Sequence, residues 1–190
     1  MTLNLAERSH FFRQWIRAPL VTASIIPSGQ ALAVNMTRSI VVDGSPVVEL
    51  GAGSGAITRQ LLHHGVAEKD LVLVECNRYF ADRLRQQFPR ATIIRNSAEM
   101  LDQQNFEIDP GFVVSSLPLL SMPNELVTAI LRAAFVKLRP GGCFIQFTYA
   151  PRCPVNHYIR KHLGLSAVLD MVVWRNVPPA RVYHLKRFGE

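Results

Sequence analysis

Cysteine is scarce in this chain of 190 residues, with only three present. Cys76, Cys143 and Cys153 have no metal-type spacing and are odd in number, which excludes a disulfide framework and a zinc ribbon. Reduced thiols in a cytosolic setting are expected, with no metal site. Long apolar runs are missing too: none approaches the roughly 18 residues needed to span a bilayer. Glu7, Arg8 and His10 interrupt the first ten residues, so no secretory leader is expected. Charged side chains make up 18% of the chain against 48% hydrophobic, a balance that excludes wholesale disorder. The length fits a single domain with a sizeable core.

Acidic residues are the scarcer charge, and the formal net charge is +7. The excess is uneven. Residues 1–40 hold four arginines against Glu7, and residues 151–190 hold seven basic side chains against Asp170 and Glu190. The stretch between them is nearly neutral, with ten basic and eleven acidic side chains. Basic ends suggest a phosphate-bearing partner, nucleic acid or anionic membrane, and charge alone does not choose between them.

The chain is organised around residues 46–58, P-V-V-E-L-G-A-G-S-G-A-I-T. Val47 and Val48 lead into Glu49, then a turn with Gly51, Gly53 and Gly55, then a helical pattern through Ile57, Leu61 and Leu62. Glycine admits positive φ and lets backbone approach a ligand closely. A helix start beyond the turn offers free N–H groups to a negative group. Leu71–Val74 reads as a second buried strand ending in Glu75, where nucleotide-binding βαβ units place an acid for the ribose hydroxyls.

Strands are expected near 46–50, 71–75, 91–95, 111–116 and 142–149, and helices near 54–64, 77–88 and 124–138. Such alternation demands a mainly parallel sheet. The runs 167–174 and 181–188, separated by Asn176-Val177-Pro178-Pro179, read as a closing hairpin. The expected fold is α/β and Rossmann-like, seven-stranded and mostly parallel, with an antiparallel C-terminal hairpin and N-terminal amphipathic helices. Residues 3–18 place Phe11, Phe12, Trp15, Leu5 and Ile16 within about 140° of a helical wheel, with Arg13 and Arg17 opposite. That pattern suits a helix lying in a membrane interface, and equally one packed on the domain as a lid. Pro27-Ser28-Gly29 precedes a further helix near the site, with Ser28 either the cap of that helix or a ligand residue.

E-L-G-A-G-S-G followed by L-V-L-V-E resembles the S-adenosylmethionine site of the class I methyltransferases. F-F-R-Q-W-I-R, I-I-P-S, S-S-L-P-L-L-S-M-P, Q-F-T-Y-A-P and W-R-N-V-P-P-A, in that order, narrow the resemblance to the bacterial phospholipid N-methyltransferases over nearly the whole chain. The resemblance implies methylation of phosphatidylethanolamine through its mono- and dimethyl forms to phosphatidylcholine. The product of the donor is S-adenosylhomocysteine. It also implies an N-terminal segment, within 1–40, that binds anionic membrane and covers a catalytic core of 41–190. The protein is then peripheral at the inner face of the cell membrane, with no obligate protein partner.

In this reading Glu49 orders the loop near the methionyl ammonium, Gly51 and Gly53 admit the methionine part, and Glu75 holds the ribose. Ala52, Gly55, Cys76, Ala98 and Ser115 complete the cofactor wall, with Cys76 a small filler rather than a nucleophile. Ser97 stands where relatives carry an acid for the adenine amine, and Gly29 where a small hydroxyl residue is common. Phe11, Phe12, Arg13, Trp15, Arg17, Pro27, Ser28, Leu117 and Pro118 are the expected substrate and membrane residues. Tyr149 is the expected contact with the acceptor amine, its ring also suited to a methylated ammonium; His157 and Tyr158 are weaker candidates.

Two other readings compete. An RNA adenine dimethylase shares the glycine motif and a basic surface, but base methyltransferases carry Asn or Asp and an aromatic after the fourth strand. Ser115–Pro123 has neither, which argues against nucleic acid and leaves an apolar lip. A non-catalytic, membrane-binding sensor of the cofactor is the third reading, and the intact Glu49, Gly51, Gly53 and Glu75 argue against decay.

Overall fold

The structure is a computed structural model that describes residues 27–176 and 178–189. It opens on helix α1, Pro27–Thr37. Proline at the first helical position has the required φ and lacks only an N–H that a helix start leaves unpaired anyway. Ser28 therefore sits inside the first turn and is not the cap.

Strand β1, Val47–Leu50, is buried along its whole length, and so is β2, Leu71–Val74. Between them helix α2 spans Ala56–His64. Helix α3, Arg78–Gln87, is capped by the Asn77 side chain, which accepts from the Phe80 N–H. Strand β3, Thr92–Ile94, and strand β4, Phe112–Ser115, follow. Helix α4, Asn124–Lys137, leads to strand β5, Cys143–Thr148. The short helix α5, His157–His162, precedes the closing strands β6, Leu165–Val173, and β7, Ala180–Arg187.

The seven strands form one sheet in the order β3-β2-β1-β4-β5-β7-β6. The first five are mutually parallel, while β7 runs antiparallel to both β5 and β6. Parallel strands with both faces covered need no polar alternation, hence V-V-E-L and L-V-L-V. One face is sealed by α4 and α5 through Val127, Ile130, Leu131 and Ile159 against Phe144 and Val113. The other is sealed by α1, α2 and α3 through Met36, Leu61 and Leu84 against Leu73 and Ile145.

Strand direction decides where function can sit. The carboxyl ends of β1, β2, β4 and β5 and the β6–β7 turn all lie on one edge of the sheet, with Thr148 of β5 paired to Arg181 of β7. At the opposite edge the His64 ring that ends α2 bonds the Ile40 carbonyl at 2.8 Å. That contact sets the segment following α1 at the opposite edge. Among the described residues no helix is long and apolar enough to cross a membrane.

Candidate active site

Period-two alternation in β1 turns Val48 and Leu50 to one core and Glu49 to the other. Glu49 is only 1% exposed, and its Oε2 accepts a 2.6 Å hydrogen bond from Thr58 Oγ1 on α2. Burial pushes its carboxyl up to about 8; the Thr58 bond opposes that shift, and the like charge of Glu75 adds to it.

The turn from β1 to α2 uses glycine three times in the left-handed region, φ 76° at Gly51, 53° at Gly53 and 80° at Gly55. A Cβ on Gly55 would fall 2.7 Å from the Phe88 ring, and one on Gly51 3.0 Å from Leu117 Cδ2. On Gly53 it would meet, among the described residues, only the Gly51 carbonyl at 3.8 Å, so this middle glycine is the uncrowded one of the three. The Gly53 N–H donates to Glu75 Oε2 at 2.9 Å, and the Asn77 N–H donates to Oε1 at 2.7 Å. One carboxylate thus holds the glycine loop and the start of α3 together. Burial raises its pKa as well, against those two bonds. Cys76 beside it is pushed up to about 12, chiefly by burial, which makes the thiol inert as a nucleophile. Ala52 lines the same loop and is buried.

After β3 the Ser97 N–H bonds the Asn96 side chain at 2.8 Å, and the Ser97 hydroxyl donates to the Glu99 carboxylate. The acid missing at position 97 is thus present two residues on, beside the buried Ala98. Glu99 carries no signal in the sequence, because the family pattern places its acid at position 97.

Ser115 ends β4 fully buried, and its Oγ accepts from the Leu117 N–H at 3.3 Å. Leu117 turns inward, 3% exposed, under Gly51, and Leu119 is buried as well. The expected apolar lip shrinks to Leu120, half exposed, and the partly exposed Pro118; Leu117 is a core residue because the loop packs over the glycine turn. Gln146 on β5, 1% exposed, clamps this loop, its Nε2 donating to the Leu117 carbonyl at 3.0 Å and to Phe147 O at 2.8 Å. Its Oε1 has no partner among the described residues. Gln146 was not anticipated, since a lone glutamine in Q-F-T-Y carries no local signal.

Tyr149 follows β5, half-buried, its ring edge-on to Phe147 at 5.5 Å. Burial raises its phenol pKa, and a side-chain hydrogen bond from Asn176 pulls the other way. Asn176 is 3% exposed and also donates from Nδ2 to Pro178 O at 2.7 Å. The hairpin turn therefore reaches back to Tyr149. His157 and Tyr158 are exposed on α5, on the surface as expected. Pro27 and Ser28 lie in the first turn of α1, whereas Phe11, Phe12, Arg13, Trp15 and Arg17 fall outside the described residues.

The carboxyl edge thus gathers Glu49, the glycine turn, Glu75, Ser97 with Glu99, the Ser115 loop and Tyr149. The family described as methyltransferase domain matches residues 47–142, which spans β1 to the start of β5. An ornithine lipid N-methyltransferase from Singulisphaera acidiphila is 32% identical over 188 residues, covering 95% of this chain and 96% of that protein. The chain belongs to the bacterial lipid N-methyltransferases.

A second relative is partial: ribosomal RNA small subunit methyltransferase A of Thermosynechococcus vestitus is 33% identical over 84 residues, 44% of this chain and 27% of that protein. Among solved structures, the 1,6-didemethyltoxoflavin-N1-methyltransferase of Burkholderia thailandensis, with S-adenosylhomocysteine bound, aligns at TM-score 0.69 and 14% identity. That alignment covers 98% of this chain and 92% of that one and shows the shared fold. Membership of a methyltransferase family and a fold shared with an S-adenosylhomocysteine-bound methyltransferase are consistent with S-adenosylmethionine as the cofactor. The loop fits it: an open cradle at Gly53 and two buried carboxylates suit a ligand that carries both an ammonium and a sulfonium.

Proposed function

We propose that the chain moves methyl groups from S-adenosylmethionine to the amine of a membrane lipid at the inner face of the cell membrane, working as one domain. Phosphatidylethanolamine and its mono- and dimethyl forms are the proposed acceptors, leading to phosphatidylcholine. The end-to-end likeness to a lipid N-methyltransferase carries the lipid class. Because that relative is named for ornithine lipid, the amine of an ornithine lipid is the second acceptor this reading admits.

The bound cofactor supplies an electrophilic methyl on its sulfonium. Glu75 accepts the ribose hydroxyls on the lone pairs left by Gly53 and Asn77. Glu49 orders the loop and counters the methionyl ammonium, and Ser97 with Glu99 faces the adenine amine. Gly51, Ala52, Gly53, Gly55, Cys76, Ala98 and Ser115 shape the cofactor wall. The acceptor arrives as an ammonium and must lose a proton before its lone pair attacks in line. Tyr149, held by Asn176, contacts that nitrogen, and desolvation beneath the covered site favours the neutral amine. Pro118 and the start of α1 flank the acceptor side.

One reaction separates this reading from the RNA one. Lipid vesicles and small-subunit ribosomal RNA compete in one tube for methyl-labelled cofactor. Label is expected in the organic extract; label in the RNA overturns the proposal.

A further inference from the structure

The β6–β7 turn opens with a tryptophan that is largely exposed among the described residues. Trp174 is 74% exposed, although it sits two residues from Asn176, which is 3% exposed, bonded to Pro178 O and close to the Tyr149 phenol. The turn is anchored, so exposure of the indole is not looseness. Pro178 and Pro179 restrict its backbone further. Arg181, just inside β7, donates to Ala150 O at 3.3 Å and joins the turn to the β5 exit loop.

The surrounding edge is basic and apolar. Arg175 in the turn and Arg152 in the β5 exit loop are both exposed and make no hydrogen bond or ion pair among the described residues. Residues 116–123, 149–156 and 174–180, the three loops bordering the acceptor side of the site, contain these two arginines and no Asp or Glu. Leu120 adds a half-exposed apolar side chain from the β4 loop.

From these observations we infer that the β6–β7 turn, with Trp174 and Arg175 at its tip and Arg152 and Leu120 alongside, is a membrane-docking face for anionic phospholipid. Indole settles at the headgroup level, where its ring is apolar and its N–H still finds a partner. Arginines without carboxylate neighbours complement an anionic headgroup layer. This contact sets the Tyr149 side of the site against the bilayer. It rests on the lipid reading of the site.

The chain has two tryptophans, so Trp15→Phe leaves Trp174 as the only indole. With vesicles of phosphatidylethanolamine and phosphatidylglycerol carrying brominated acyl chains, Trp174 emission is expected to shift to shorter wavelength and be quenched. Unchanged emission from vesicle-bound protein overturns the inference, as does the same shift with RNA and none with vesicles. Should Trp15→Phe itself release the protein, Trp174→Ala with Trp15 intact is the deciding variant. It is expected to raise the lipid needed for half-maximal sedimentation about tenfold with unchanged circular dichroism, the scale of one interfacial anchor; no change overturns the inference. Methylated lipid with a water-exposed Trp174 defeats the docking face alone, and an inserted Trp174 with no methylated lipid defeats the substrate reading alone.

Discussion

Glu49 carries a proton across most of the neutral range because burial outweighs its bond from Thr58. Its ordinary value is 4.5 and its folded value about 8. Between those limits the folded protein holds one proton more than the unfolded chain, so stability falls as pH rises and the penalty is complete above pH 8. Glu49→Gln is expected to remove that slope, seen as a flatter melting temperature from pH 5 to 8 without cofactor. A cationic ligand favours the ionised form, so wild-type affinity for S-adenosylmethionine should rise toward pH 8 while the variant stays weaker and flat. Parallel calorimetric titration curves for the two proteins would contradict this. Tyr149→Phe tests the other end of the site. It is expected to lower kcat about ten- to a hundredfold, with cofactor affinity within twofold, the range of one positioned proton-handling group. Equal losses in both would make Tyr149 a packing residue.

At the scale of elements, the glycine turn separates folding from binding. Gly55→Ala places a methyl against Phe88 at a positive φ and is expected to destabilise by about 2–4 kcal/mol in urea unfolding. Gly53→Ala crowds no side chain among the described residues, so strain at its φ should cost only about 1–2 kcal/mol, while cofactor binding suffers more. Gln146→Leu leaves the Leu117 and Phe147 carbonyls without their donor. It is expected to raise the lipid KM more than the cofactor Kd. What could be seen in the chain itself follows the same division. Strands, helices and hairpin were legible because V-V-E-L, L-V-L-V and R-P-G-G are local patterns of burial and turn chemistry. The glycine turn with Glu49 and Glu75 was legible for the same reason. Gln146 and Asn176 were not, since each is defined by a partner 29 or 27 residues away. Leu117 misled because an apolar loop reads alike whether it faces solvent or the core. Ser28 misled because the proline before it already starts the helix.

For the whole molecule, the asymmetric sheet explains why one edge does everything. Five parallel strands deliver their carboxyl ends to it, and the antiparallel pair β6–β7 returns its turn to the same side, bringing Asn176 to Tyr149. Cofactor loops sit above β1, β2 and β3, and the acceptor side sits above β4, β5 and the hairpin. Arg152, Arg175 and Arg181, three of the seven basic residues in 151–190, fall on this second half. Activity on a lipid surface should therefore weaken as salt rises, since a basic face and an anionic surface attract through a screened field. The most direct measurement is methyl transfer itself. Purified protein and labelled S-adenosylmethionine are given vesicles of phosphatidylethanolamine or of ornithine lipid, each with and without phosphatidylglycerol, and the lipids are extracted and chromatographed. Label in a methylated lipid, increased by phosphatidylglycerol, is the predicted result, and its mobility names the acceptor and the number of methyl groups. Cofactor bound with no label in either lipid would contradict the account.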